Sequence, residues 1–118
     1  MLLIGTEPGG KTIRIRLRTI GITKPITLGR GREASITLDD PKTSRVHSAI
    51  RYWDDIFIVR DCHSRNGTYV NGNKVSVARL NPGDTLTIGN TNLLAQSEPK
   101  DSDVTVPFDI GDIDDIGD

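Results

Sequence analysis

The sequence predicts an all-β domain, a sandwich or barrel of many short strands. Three observations carry that prediction. Apolar residues make up 35% of the chain but aromatics only 4%, so a core must rest on Ile, Leu and Val, which suit a pleated surface. Twelve glycines and six prolines, without a Gly-X-Y period, punctuate the chain as turns do. No window of helical length sustains apolar residues at i, i+3 and i+4.

Lys11 to Arg18 alternates strictly, with Ile13, Ile15 and Leu17 on one face and Arg14, Arg16 and Arg18 on the other, the period of a half-buried strand. Pro8, Gly9 and Gly10 form a turn before it, which makes Leu2 to Thr6 its hairpin partner. Ile22, Ile26 and Leu28 continue the alternation, while Pro25 lacks a ladder donor and indicates an edge strand or an irregular start. Further strands are expected at Ile36 to Leu38, Val46 to Trp53, Ile56 to Asp61, Thr68 to Val70, Thr85 to Ile88 and Thr91 to Ala95, each bounded by Gly, Pro, Asn, Asp or Ser. Asn66-Gly67 and Asn71-Gly72 are turn dipeptides that favour positive φ.

A chain of 118 residues and 12.9 kDa accommodates one domain of ordinary size. The net charge of −1 hides an asymmetry: residues 1–97 carry 14 Lys+Arg against 8 Asp+Glu, and residues 98–118 carry one Lys against 8 acids, giving +6 and −7. We therefore expect a domain over 1–97 and an acidic, flexible C-terminal tail over 98–118. The single Cys62 forms no internal disulfide and two isolated histidines make no zinc constellation, so neither metal nor cofactor is expected. Met1 to Ile4 is too short for a signal segment and no run of eighteen apolar residues occurs, which predicts a soluble, cytoplasmic chain without a membrane partner.

The residues best suited to chemistry fall between strands. Arg30 and Arg45 offer guanidinium forks for phosphate oxygens, Ser44 a hydroxyl and a backbone N–H, and Asn66 an amide for an extended peptide's main chain. Each has a plainer structural explanation when taken singly: a strand end at Gly29, a turn cap at Ser44, a tight turn at Asn66-Gly67, a satisfied buried histidine at His47. Taken in order, LGR, SITLDD, TSRVH, SRNGTYVNG and LNPGDTLTIG resemble the forkhead-associated (FHA) domain family in residue type, order and approximate spacing, a resemblance that spans roughly Ile22 to Gln96.

The resemblance implies a β-sandwich of about eleven short strands that recognises phosphothreonine peptides through loops at one end. It implies that Arg30 and Ser44 bind phosphate with Arg45 adjacent, and that Asn66 bonds the peptide backbone. Lys42 would read the residue three places after the phosphothreonine; Arg65 departs from the family, whose members commonly carry smaller residues there, and we expect from it a peripheral contact. Gly29, His47 and Gly67 would be architectural. The implied partners are a phosphothreonine protein or peptide and an upstream serine/threonine kinase. Thr105, the only threonine of the tail, is a candidate phosphorylation site. Because the family's termini lie away from its recognition loops, a modified Thr105 would drive self-association between molecules.

Other functions fit less well. An enzyme needs a nucleophile with its base or paired carboxylates, yet Cys62 and His63 would diverge along a strand end, and Glu33, Asp39 and Asp40 show no partner set. A nucleic-acid binder is motivated by the +6 body and Arg14, Arg16 and Arg18, but aromatic stacking platforms and a groove-reading helix are missing. An interaction module without phosphate dependence keeps the fold but leaves Arg30, Ser44 and Asn66 without a task.

Overall fold

A computed structural model describes residues 1–17 and 24–98. Arg18, Ile22 and Thr105 lie outside the described residues. Eleven strands run in chain order: β1 (Leu2–Thr6), β2 (Thr12–Arg16), β3 (Ile26–Gly29), β4 (Ile36–Thr37), β5 (Ser48–Trp53), β6 (Ile56–Asp61), β7 (Thr68–Val70), β8 (Asn73–Val75), β9 (Val77–Leu80), β10 (Thr85–Ile88) and β11 (Thr91–Gln96). They form a six-stranded sheet ordered β2-β1-β11-β10-β7-β8 and a five-stranded sheet ordered β4-β3-β5-β6-β9. All pairings are antiparallel except β3 with β4.

Alternation places one face of each sheet in a shared core. Leu3, Ile15, Leu86, Ile88 and Leu93 from the first sheet meet Leu28, Ile50, Val59 and Leu80 from the second, all essentially without solvent contact. The expected hairpin forms with Leu3 opposite Ile15 and Gly5 opposite Ile13. Arg14 and Arg16 stay exposed, as the alternation requires.

Local features refine the strand reading. Pro25 stands just outside β3, which lies between β4 and β5, so proline marks an irregular start and not an edge. Val46 and His47 precede β5, where they belong to a loop that carries site residues. β8 and β9 lack a readable pattern, since Asn73, Lys74, Val77 and Arg79 are exposed and only Leu80 is fully buried. The Asn71-Gly72 turn that joins β7 to β8 does adopt positive φ, 53° and 82°. Trp53, at the end of β5, is 67% exposed and takes no part in the core.

The two ends of the sandwich differ in purpose. At one end the Glu7 carboxylate, just after β1, accepts the Asp39 amide at 2.6 Å, and the loops before β5 and after β6 gather beside it. At the other end Leu2 pairs with Gln96, and the Met1 amine lies 3.6 Å from Glu98. Chain entry and the last described residue are therefore remote from the loop cluster.

Candidate functional site

Close backbone approach builds the site before any side chain is considered. Arg30 and Gly31 leave β3 alongside the next loop, donating to the carbonyls of Ser44 and Arg45 at 2.9 Å each. A Cβ at Gly29 would sit 2.1 Å from the Arg45 carbonyl oxygen, so only glycine allows this approach. Here the glycine serves more than a strand end.

His47 then ties this loop to the one after β6. Its ring is fully buried, with Nδ1 accepting the Ser44 amide at 3.0 Å and Nε2 2.7 Å from the Gly67 carbonyl. An acceptor at Nδ1 and a carbonyl opposite Nε2 are satisfied together only by the neutral imidazole protonated on Nε2. The backbone of His47 adds two bonds at 2.8 Å, donating to Leu28 and accepting from Cys62. Gly67, at φ +88°, turns its carbonyl toward the ring in a conformation that a side chain would strain.

Two carboxylates brace the same loops from either side. Asp40 is buried and accepts the amides of Lys42 (2.9 Å) and Asn90 (2.8 Å) and the hydroxyl of Thr91 (2.7 Å), joining the Ser44 loop to the β10–β11 turn. Asp61 accepts the Ser64 hydroxyl and amide and the Thr68 hydroxyl, and Ser64 Oγ in turn accepts the Gly67 amide at 2.9 Å. Burial raises the pKa of each carboxyl, but these hydrogen bonds outweigh it and hold both below the ordinary value of 3.8. Asp40 thus has partners that the sequence did not reveal, and its role is to brace loops, whereas Asp39 is engaged through its backbone amide, which donates to Glu7.

Arg30, Lys42, Ser44, Arg45, Arg65 and Asn66 all line one open cleft of about 230 Å³, with Pro41 and Thr43. Arg30 Nε is bonded to the Thr43 carbonyl at 3.0 Å, which fixes the guanidinium and leaves its terminal NH₂ groups for the cleft. Ser44 Oγ accepts the Arg65 amide at 3.0 Å, so its O–H remains a donor. Asn66 Nδ2 donates to the Lys42 carbonyl at 2.7 Å, so its Oδ1 remains an acceptor. Lys42 and Arg65 are exposed at the rim.

Arg45 differs from the other cations. Its Nε and Nη2 bond Glu33 at 3.0 and 2.8 Å, a two-point ion pair that lies over Gly31. Hydrogen bonding to Arg45 holds the Glu33 carboxyl below its usual range, so the pair stays charged through neutral pH. Sequence reasoning left Glu33 without a partner; a separation of twelve residues across a turn carries no local signal. Four cations against one carboxylate still leave the cleft strongly positive.

The family model of the FHA domain matches residues 26–89, from β3 to the turn after β10, more than half of the chain. The chain belongs to the FHA domain family. It is 41% identical over 75 residues to the glycogen accumulation regulator GarA of Mycolicibacterium smegmatis, covering 64% of this chain and 48% of that one. The chain thus spans about half the length of the curated relatives it matches. Among solved structures, an FHA domain studied for phosphothreonine-dependent interactions superposes with a TM-score of 0.65 at 27% identity, over 84% of this chain and 99% of that one. The FhaA FHA domain bound to the intracellular domain of Rv3910 superposes equally well, at 29% identity over 80% and 98%. FHA domains are phosphothreonine-binding modules, not enzymes, and the two-sheet all-β architecture is the one expected from sequence.

The sequence placed Cys62 and His63 along a strand end, and the structure corrects that placement. Cys62 and His63 follow β6 in a turn where His63 has φ 56°, not along a strand. Burial and the neighbouring Asp61 carboxylate push the Cys62 thiol up, away from thiolate reactivity. Among the described residues no cluster of His, Cys, Asp or Glu is placed to hold a metal, and no helix is long and apolar enough to cross a membrane.

Two outcomes test this frame. Because Asp40 and Asp61 have depressed folded-state pKa values, their stabilisation is present above the unfolded carboxyl pKa of about 3.9 and is lost as pH falls through the folded values. Urea midpoints of the wild type should therefore drop below about pH 4, and Asp40→Asn should flatten that dependence. His47→Ala strands the Ser44 amide and the Gly67 carbonyl, and should cost about 2–4 kcal/mol in chemical denaturation.

Proposed function

We propose that the cleft holds the phosphate of one phosphothreonine in an extended peptide, and that the chain acts as a phosphothreonine reader downstream of a serine/threonine kinase. The observation that carries this reading is the convergence of three unspent groups on one cleft: the Arg30 NH₂ groups, the Ser44 hydroxyl and the Asn66 carbonyl oxygen. Arg30 and Ser44 take phosphate oxygens, and Asn66 accepts a peptide N–H. Lys42 reads a polar or acidic residue beyond the phosphothreonine, and Arg65 gives a peripheral contact. Arg45 supplies charge beside the phosphate while Glu33 holds its fork. The recognising unit is the domain over 1–97, working in the cytoplasm, where such kinases act.

The magnitudes suffice for a small site. Each charge-assisted hydrogen bond to phosphate is worth roughly 1.5–3 kcal/mol, and micromolar affinity needs only about 8 kcal/mol in all. Threonine is preferred to serine if its methyl fills an apolar niche, at about 0.8 kcal/mol or more per buried carbon.

Anisotropy titrations with a labelled phosphothreonine peptide library should give micromolar binding, weaker binding of phosphoserine and none of unphosphorylated peptide. Equal binding of all three contradicts the reading. Arg30→Ala and Ser44→Ala should each cost about 1.5–3 kcal/mol of binding in the same titration and leave the melting temperature nearly unchanged. Glu33→Gln should release the Arg45 fork and tighten binding severalfold; weakened binding would show that Glu33 holds Arg45 in its binding position.

The same reading makes a phosphorylated Thr105 a ligand between molecules. It lies seven positions after Glu98, a reach of about 25 Å, and Glu98 sits at the end of the sandwich away from the cleft. Light scattering of Thr105-phosphorylated protein should show concentration-dependent oligomers that Arg30→Ala abolishes.

A further inference from the structure

The outer face of the five-stranded sheet serves neither the core nor the cleft. Register places Trp53 beside Ile56, then Arg51, Ile58 and Arg79 in one row, then Ala49, Arg60 and Val77 in the next. Trp53 and Val77 are 67% and 55% exposed, and Arg51, Arg60 and Arg79 are exposed as well. Among the described residues none of these three arginines has an ion-pair partner. Arg51, Trp53, Ile58, Arg60 and Val77 line a shallow groove of about 450 Å³. An apolar strip set among uncompensated cations calls for a segment that is itself both apolar and acidic.

Such a segment occurs in this chain. Residues 101–118 contain seven aspartates and no Lys or Arg, interleaved with Val104, Val106, Phe108, Ile110, Ile113 and Ile116. Its attachment is on the correct side. β5 leaves the recognition loop at Ser48 and ends at Trp53, and β11 leaves the same end at Thr91 and ends at Gln96, so Trp53 and Glu98 share the end remote from the cleft. Glu98 is fixed there by Arg16 at 2.8 Å and by the Met1 amine. Twenty residues follow Glu98, a contour of about 65 Å, whereas the two sheets of a sandwich pack only about 10 Å apart.

We propose that residues 101–118 dock on this sheet face of their own chain, with aspartates against Arg51, Arg60 and Arg79 and with Phe108 and the isoleucines against Trp53, Ile58 and Val77. Tethering favours the chain's own segment over a free one, because a short linker gives an effective concentration in the millimolar range. The face then has a task independent of the cleft, and docking does not require an occupied phosphate site.

Trp53 is the only tryptophan, so its emission reports this contact directly. In the full chain, replacing Phe108, Ile110 and Ile113 together by Ser should shift Trp53 emission to the red and raise its acrylamide quenching constant severalfold. Arg51→Glu with Arg60→Glu should do the same with the natural tail. The wild-type values should not change with protein concentration. Equal quenching in the wild type and the tail variant overturns the proposal. Protection of Trp53 that grows with concentration also overturns it, by placing the segment on a second copy.

Discussion

The recognition end depends on one neutral imidazole. His47 accepts the Ser44 amide on Nδ1 and faces the Gly67 carbonyl with Nε2, so a single buried ring sets the spacing between the loop that carries Arg30 and Ser44 and the loop that carries Asn66. Low local dielectric makes the two bonds strong when both are made, and makes either partner costly to leave alone. Asp40 and Asp61 extend the same logic outward, each tying loop groups to the first residue of a strand, Thr91 of β11 and Thr68 of β7.

This bracing has a consequence for the groups that face the cleft. Arg30, Ser44 and Asn66 each spend one hydrogen bond on the scaffold and keep another capacity free. The conformational entropy of these side chains is largely lost in folding, so less remains to be lost on binding. Arg45 is the exception: its fork is satisfied by Glu33, which moderates the positive field of the cleft. The described residues thus place a positively charged cleft at one end, Met1 and Glu98 at the other, and a cationic, partly apolar sheet face between them.

Much of this was legible in the sequence where one physical rule acted alone. Strict alternation marked β2, and turn residues bounded β1, β6, β7, β10 and β11 closely. The site letters stood in loops in the order that the FHA family shares. What could not be read depended on contacts between distant segments. β8 and β9 are edge-ward strands with little buried surface, so their sequence carries almost no period. Trp53 falls in the expected strand, and its place in the alternation of β5 turns it outward. Glu33 with Arg45 and Asp40 with Asn90 are side-chain pairings that only the folded loops create. Gly29 was visible as a glycine, while the reason for it, the Arg45 carbonyl against its Cα, was not.

The most direct test of this account is the long-range ¹H–¹⁵N spectrum of the His47 imidazole, recorded for the free protein and again with a saturating phosphothreonine peptide. The account predicts a neutral ring protonated on Nε2 in both states, with peptide-induced amide shifts concentrated at Ser44, Arg65 and Asn66. A ring protonated on Nδ1, a cationic ring, or shifts centred away from those amides would contradict it.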